Sequence, residues 1–132
     1  MLDNITPIIS TYNEAPNIER VLNRLRWATE VLVIDSFSTD QTLAICQSFD
    51  NVRVIQNAYS GPTDQSNFGL AQNIKTDWVL SMDADYVLTP ELETELAELP
   101  RTTPKDSVKA YEISFEYPVS YTHLTLPTIY SV

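Results

Sequence analysis

The chain has 132 residues, with 8 Lys or Arg against 18 Asp or Glu, so its formal net charge is −10. This length predicts one domain, and 43% apolar residues are enough for a packed core, which excludes a disordered acidic tail. The acidic balance argues against nucleic acid as a partner. One cysteine excludes an internal disulfide, and two glycines exclude the usual glycine-rich phosphate loops.

Membrane insertion and secretion are not predicted. No apolar run approaches the roughly 20 residues that span a bilayer. The first residues show no basic region followed by an apolar stretch, so no signal peptide is visible. We therefore expect a cytoplasmic protein.

Apolar runs alternate with helical patterns along the chain. The predicted strands are residues 5–10, 31–34, 52–55, 78–82 and 108–117. Predicted helices begin near Asn13, at a capping box over residues 38–41, near Asp64 and at Thr89. Strands separated by helices indicate an α/β fold, a Rossmann-like parallel sheet with right-handed crossovers. Such sheets bind ligands beyond the carboxyl ends of their strands.

The last fourteen residues differ in composition from the rest. Residues 119–132 contain no acid, Lys or Arg, and they hold His123, the single histidine. An ordinary strand and turn is one interpretation. We favour another, because the string VSYTHLTLPT resembles the translation of a sequencing adapter. The domain would then span residues 1–118, His123 would be neither ligand nor base, and the intact reading frame would depart from this sequence near Pro118.

Polar groups follow three of the predicted strands. They are residues 11–14 (TYNE), 35–40 (DSFSTD) and 83–85 (DAD). In a parallel sheet these three groups converge on one crevice.

Asp83 and Asp85 are two carboxylates directly after an apolar strand. Carboxylate oxygens suit Mg²⁺ or Mn²⁺, and such an ion could bridge a diphosphate and stabilise it as a leaving group. The pair fits equally a solvated turn or a helix cap, because an Asp-x-Asp match alone is weakly specific.

The other candidates are also ambiguous. Asp35 could accept from a base N–H or a ribose hydroxyl, or it could cap the next helix. Asn13 and Glu14 fit capping as well as ligand contact. Gln65 and Asn67 could contact a sugar or base, and a surface helix would hold them equally well.

Three ordered segments together resemble family 2 glycosyltransferases of the GT-A fold. The segments are residues 8–14 (IISTYNE), 33–40 (VIDSFSTD) and 78–85 (WVLSMDAD). Residues 25–28 and 65–68 are further similar to the bacterial branch that includes lipopolysaccharide-core glucosyltransferases. The resemblance covers about residues 5–117.

The resemblance implies transfer of a sugar from a nucleotide-sugar donor, commonly UDP-linked, with inversion and with Mg²⁺ or Mn²⁺. The acceptor would be a glycan or a lipid-linked saccharide in envelope polysaccharide synthesis. The reaction would occur at the cytoplasmic face of the inner membrane, with peripheral membrane contact by the intact protein.

The resemblance also implies roles for single residues. Asp35 would contact the base, Asp83 the ribose or metal, and Asp85 the metal. The donor-binding candidates are Thr11, Tyr12, Asn13, Glu14, Asp35, Gln65, Asn67 and Asp83. The family usually has Gly where this chain has Phe37, which lies beside the expected base contact.

No general base is assigned. Inverting members of the family use a carboxylate in the second half of the domain, and that half also forms the acceptor site. A complete domain of this type needs roughly 200 residues or more. We therefore expect a truncated domain that binds donor but does not itself transfer sugar.

Two other classes of protein are alternatives. A nucleotidyltransferase would open with a glycine-rich, basic loop after the first strand, where this chain has the acidic segment of residues 11–14. A non-enzymatic receiver module would need a lysine at a late strand end, whereas Lys109 lies at the start of the predicted fifth strand.

Overall fold

A computed structural model describes residues 1–99, 110–112 and 128–131. The strands are β1 (Ile5–Thr11), β2 (Val31–Asp35), β3 (Val52–Gln56), β4 (Trp78–Asp83), β5 (Ala110–Glu112) and β6 (Thr128–Ser131). The helices are α1 (Ala15–Asn23), α2 (Thr42–Gln47), α3 (Pro62–Leu70) and α4 (Pro90–Glu98), and a 3-10 turn covers Leu2–Asn4. The strands form one sheet in the order β3-β2-β1-β4-β6-β5.

The first four strands are parallel, as predicted. β1 lies between β2 and β4, and β2 also pairs with β3. Pro7 lies inside β1, although it cannot donate to a ladder. Pairing with β2 begins only at Ile8, so Pro7 precedes that ladder.

The sheet also contains one strand that was not predicted, and it is antiparallel to the others. β6 runs antiparallel between β4 and β5. Of the predicted strand at residues 108–117, the structure describes Ala110–Glu112 as strand, and the other residues lie outside the described ranges. β6 comes from the segment interpreted as an adapter, and Ile129 within it is buried. An unpaired strand edge accepts a β-branched, aromatic segment readily, and residues 128–131 (TIYS) have that composition.

Two apolar clusters lie on opposite faces of the sheet. The larger joins the sheet to α1, α2 and α4, and the smaller consists of Ile8, Leu32, Ile34 and Val79 beneath α3. α3 approaches the sheet closely, because a Cβ atom on Gly69 would lie 2.8 Å from Cδ1 of Ile34. None of the described helices is long and apolar enough to cross a membrane.

Of three predicted helix caps, one is confirmed and two are wrong. The cap at Thr89 is confirmed, because its hydroxyl accepts from the N–H of Leu92 at 3.1 Å. The capping box at Ser38 is wrong, since α2 begins at Thr42, whose N–H donates to Asp40 at 2.9 Å. Asn13 does not cap α1 either. At the start of α1 the acceptors are distant in the chain, because the Glu14 N–H donates to the Thr42 hydroxyl and the Ala15 N–H to Asp40, and sequence spacing does not reveal such pairs.

Candidate functional site

The carboxyl ends of three strands meet, as predicted. In the β-sheet register Thr11 pairs with Asp35 on one side, and its neighbour Ser10 pairs with Asp83 on the other. Adjacent strands lie about 4.8 Å apart. The acids of β2 and β4 therefore flank the end of β1.

A cleft of about 470 Å³ opens at this edge. Its size lies within the range of small-molecule sites, about 300–1,000 Å³. The cleft is lined by Ser10, Thr11, Tyr12, Ser36, Phe37, Ala58 and Tyr59. None of these residues is charged, so the wall offers hydroxyl groups and aromatic rings.

Three exposed aromatic side chains belong to this cleft. Tyr12, Phe37 and Tyr59 are 58%, 59% and 61% exposed. Among the described residues they make up three of the four large hydrophobic side chains that are exposed, the fourth being Val87. Aromatic faces stack well on planar rings, including nucleobases.

Asp35 lies behind the cleft wall and is 1% exposed. Its Oδ1 accepts from the Thr11 hydroxyl at 2.8 Å, and its Oδ2 accepts from the Ser38 N–H at 2.9 Å. The Ser38 hydroxyl also donates to Oδ1. Burial by itself would raise the pKa of Asp35, but the donors of Ser38 and Thr11 outweigh it and leave the pKa below its ordinary value. Asp35 is therefore an ionised anchor for the loop that follows β2.

The turn after Asp35 holds Phe37 in the left-handed region, at φ 58°. For a bulky residue this conformation costs about 1–3 kcal/mol, and it persists only where surrounding contacts impose it. Here the Phe37 N–H donates to Gln56 Oε1 at 3.0 Å, and the Ser36 N–H donates to the Thr11 carbonyl at 2.9 Å.

Asn13 and Glu14 connect two loops. The Asn13 N–H donates to the Ser38 hydroxyl at 2.8 Å, and Asn13 Oδ1 accepts from the Thr39 N–H at 2.8 Å. The Glu14 N–H donates to the Thr42 hydroxyl at 2.9 Å. Neither residue lines the cleft, so the structure gives both a role in loop geometry.

Gln65 and Asn67 are not brought into the cleft wall. Gln65 is 2% exposed, and its Oε1 accepts from the Asn57 amide at 2.9 Å. It lies under the loops that form the wall, within 3.4 Å of the Ser36 hydroxyl. Asn67 is exposed on α3 and does not line the cleft.

Asp83 and Asp85 lie in the turn that ends β4. The Tyr86 N–H donates to the Asp83 carbonyl at 3.2 Å, Asp83 is half-buried and Asp85 is exposed. Within the described ranges no three His, Cys, Asp or Glu side chains form a ligand cluster. Mg²⁺ is commonly held by one or two carboxylates together with substrate phosphates, so this donor set fits such an ion once a diphosphate is present.

Two wall residues from the β3–α3 loop, Ala58 and Tyr59, were missed. They follow the carboxyl end of β3, so the strand-end rule already contained the signal. Ser10 was also missed, whereas Ser36 belongs to the predicted polar group at residues 35–40 but was given no role, because small polar residues carry little signal of their own.

The sequence comparisons with known proteins indicate one family. The sequence profile described as "Glycosyl transferase family 2" matches residues 6–124. An uncharacterized glycosyltransferase of Rickettsia bellii is 39% identical over 111 residues, covering 83% of this chain and 37% of that protein. The lipopolysaccharide core biosynthesis glycosyltransferase LpsC of Rhizobium meliloti is 29% identical over 99 residues, covering 72% of this chain and 36% of that protein.

A solved structure supports the same assignment. The mannosyltransferase PcManGT of Pyrobaculum calidifontis, in complex with GDP-Man and Mn²⁺, is 27% identical with a TM-score of 0.64. The match covers 81% of this chain and 34% of that one, and the chain spans a little over a third of each of the two relatives. With its profile match, its parallel four-stranded core and these relatives, the chain belongs to glycosyl transferase family 2 and has the GT-A fold.

Proposed function

We propose that this chain is the donor-binding part of an enzyme that transfers sugar from a UDP-linked donor. The observation that carries this proposal is the aromatic cleft at the end of β1, one strand from the Asp83 turn. The base and ribose would occupy the cleft, with Thr11 and Tyr12 in its wall. Asp35, Asn13, Glu14 and Gln65 would act on the donor by holding the loops that shape the wall.

Charge supports a metal ion at Asp83 and Asp85. A diphosphate is anionic, and no cleft-lining residue is Lys or Arg. The nearby acids would repel it unless a divalent cation intervened. Mg²⁺ or Mn²⁺ held by these two carboxylates would stabilise the diphosphate as it leaves the anomeric carbon.

The acceptor site would lie in another part of a longer protein, since the chain spans a little over a third of the relatives it matches. We propose an inverting transfer to a saccharide or lipid-linked saccharide in envelope polysaccharide synthesis, at the cytoplasmic face of the inner membrane. The similarity to LpsC, a lipopolysaccharide core biosynthesis glycosyltransferase, supports this pathway. The general base would come from the other part of a longer protein, so the 132-residue chain would bind donor without transferring it.

Calorimetry of UDP binding with and without Mn²⁺ tests the proposal. We expect the chain to bind UDP in Mn²⁺, and we expect Asp85→Ala to weaken that binding at least about tenfold because the ion loses a carboxylate ligand. Asp50→Ala is a matched control, since Asp50 is an exposed acid before β3, at the opposite edge of the sheet.

The outcomes separate the parts of the proposal. Equal binding by the wild type and Asp85→Ala would remove the metal role. Tighter binding of GDP than of UDP would overturn the choice of base. Failure of the wild type to bind any nucleoside diphosphate would overturn donor binding altogether.

A further inference from the structure

Phe37 combines two unfavourable features at one position. Its backbone has φ 58°, a region that glycine enters freely and bulky residues avoid. The residue is 59% exposed, so packing within the described protein does little to offset that strain. A residue that costs stability and gains little packing is a candidate for ligand contact.

The backbone around Phe37 is held independently of its ring. The Phe37 N–H donates to Gln56, and the next residue, Ser38, donates to the buried Asp35 through its N–H and hydroxyl. These bonds involve main-chain atoms or other side chains. The turn would therefore keep its shape with a different side chain at position 37.

The ring of Phe37 faces a cleft that already contains two further aromatic side chains. Tyr12 reaches the cleft from the end of β1, and Tyr59 reaches it from the loop after β3. Phe37 comes from the end of β2, between them in the sheet. Unlike the two tyrosines it carries no polar atom, so it can offer a ligand only its apolar face and edge.

We propose that Phe37 is a stacking residue for the nucleobase of the donor, and that its side chain raises donor affinity without shaping the fold. The inference rests on the proposed function, because it requires a nucleotide in this cleft. Stacking on an aromatic face tolerates every base, so Phe37 contributes affinity rather than a choice between bases.

Phe37→Gly tests the inference by calorimetry with two probes in Mn²⁺: UDP, and inorganic pyrophosphate, which lacks a base. We expect the dissociation constant for UDP to rise roughly 5- to 150-fold, the range for losing one base–aromatic stack. Pyrophosphate affinity should be unchanged. The melting temperature should stay level or rise, since glycine adopts φ 58° without strain.

Two further variants distinguish aromatic stacking on the base from apolar contact alone. Phe37→Trp should keep wild-type UDP affinity, because it restores an aromatic face. Phe37→Leu should lose most of it, because it is apolar without a π face. These variants also keep the inference testable if the glycine variant does not fold.

The outcomes distinguish this inference from the proposed function. Unchanged UDP affinity in Phe37→Gly, with a wild type that binds UDP, would overturn the role of Phe37 and leave donor binding intact. An equal loss for UDP and pyrophosphate, or a lower melting temperature, would also overturn it, because the ring would then act on site structure. A wild type that binds no nucleotide would overturn both.

Discussion

The ends of β2 and β4 look alike in the sequence, but their acidic side chains have different surroundings in the fold. Each strand is an apolar run followed by an acid, VLVID and WVLSMD. Asp35 is 1% exposed and accepts hydrogen bonds from Thr11 and Ser38. Asp83 at the end of β4 is half-buried, and Asp85, two residues further on, is exposed, with no hydrogen-bond donor at its carboxylate among the described residues.

The difference shows that one residue type can occupy two different environments at a single sheet edge. A buried carboxylate surrounded by donors fixes a loop, whereas an exposed one leaves its lone pairs open to water or to a cation. The last residues of the two strands, Asp35 and Asp83, lie on opposite faces of the sheet. Asp35 shares the face of Val33, beneath α1 and α2, whereas Asp83 shares the face of Val79, where α3 is the only described helix.

Replacing Asp35 should have the largest effect on stability. Asp35→Ala leaves the buried Thr11 hydroxyl and the Ser38 N–H without an acceptor, so we expect the free energy of unfolding to fall by about 2–4 kcal/mol. Urea denaturation measures it. Asp85→Ala, the matched change at the other strand end, should stay within about 0.5 kcal/mol. Similar losses in both variants would contradict the contrast between the two ends.

Removing one hydrogen-bond donor to Asp35 should lower the free energy of unfolding by less than removing Asp35 itself. Thr11→Val keeps the shape of the side chain and loses its hydroxyl. We therefore expect the free energy of unfolding, measured by urea denaturation, to fall by about 1–2 kcal/mol. Thr6→Val is the control on the same strand, because its hydroxyl pairs with the neutral Thr76 hydroxyl at 2.7 Å.

The cost of Thr11→Val should depend on pH. Asp35 has a lowered pKa when folded, so its bonds stabilise the protein above the unfolded value of 3.8, and that stabilisation is lost as pH falls through the folded pKa. The difference between wild type and Thr11→Val should therefore be full near neutral pH and shrink in acid. The difference for Thr6→Val should stay constant, and a parallel decline in both would refute the assignment to Asp35.

The smallest effect is expected at Asn13. Asn13→Gly removes the acceptor of the Thr39 N–H on an exposed loop, where water can replace it. We therefore expect the free energy of unfolding, measured by thermal denaturation, to fall by about 0.5 kcal/mol. Asn13→Ala should cost about 1 kcal/mol more, because φ is 51° and alanine enters that region with strain. Equal costs would mean that the backbone conformation contributes nothing to the loop.

Much of the fold and part of the site could be predicted from local signals. Apolar runs located β1 to β4, and the Thr89 cap was found because its partner Leu92 is three residues away. Ser38 had the same spacing signal, yet its hydroxyl bonds to the buried Asp35. Asp35 is only three residues before Ser38, so a second local acceptor competes with the helix cap, and sequence spacing cannot rank the two.

The sequence by itself determined the alternation of strands and helices and the acids at the carboxyl edge, because hydrophobic periodicity and crossover handedness act over short stretches. Only the tertiary structure decided that Asp35 is buried, that Phe37 adopts a positive φ and that β6 enters the sheet antiparallel. The partners concerned are distant in the chain: Thr11 and Asp35 are 24 residues apart. Packing sets these contacts: it places Asp35 against protein donors and leaves Asp85 exposed to solvent.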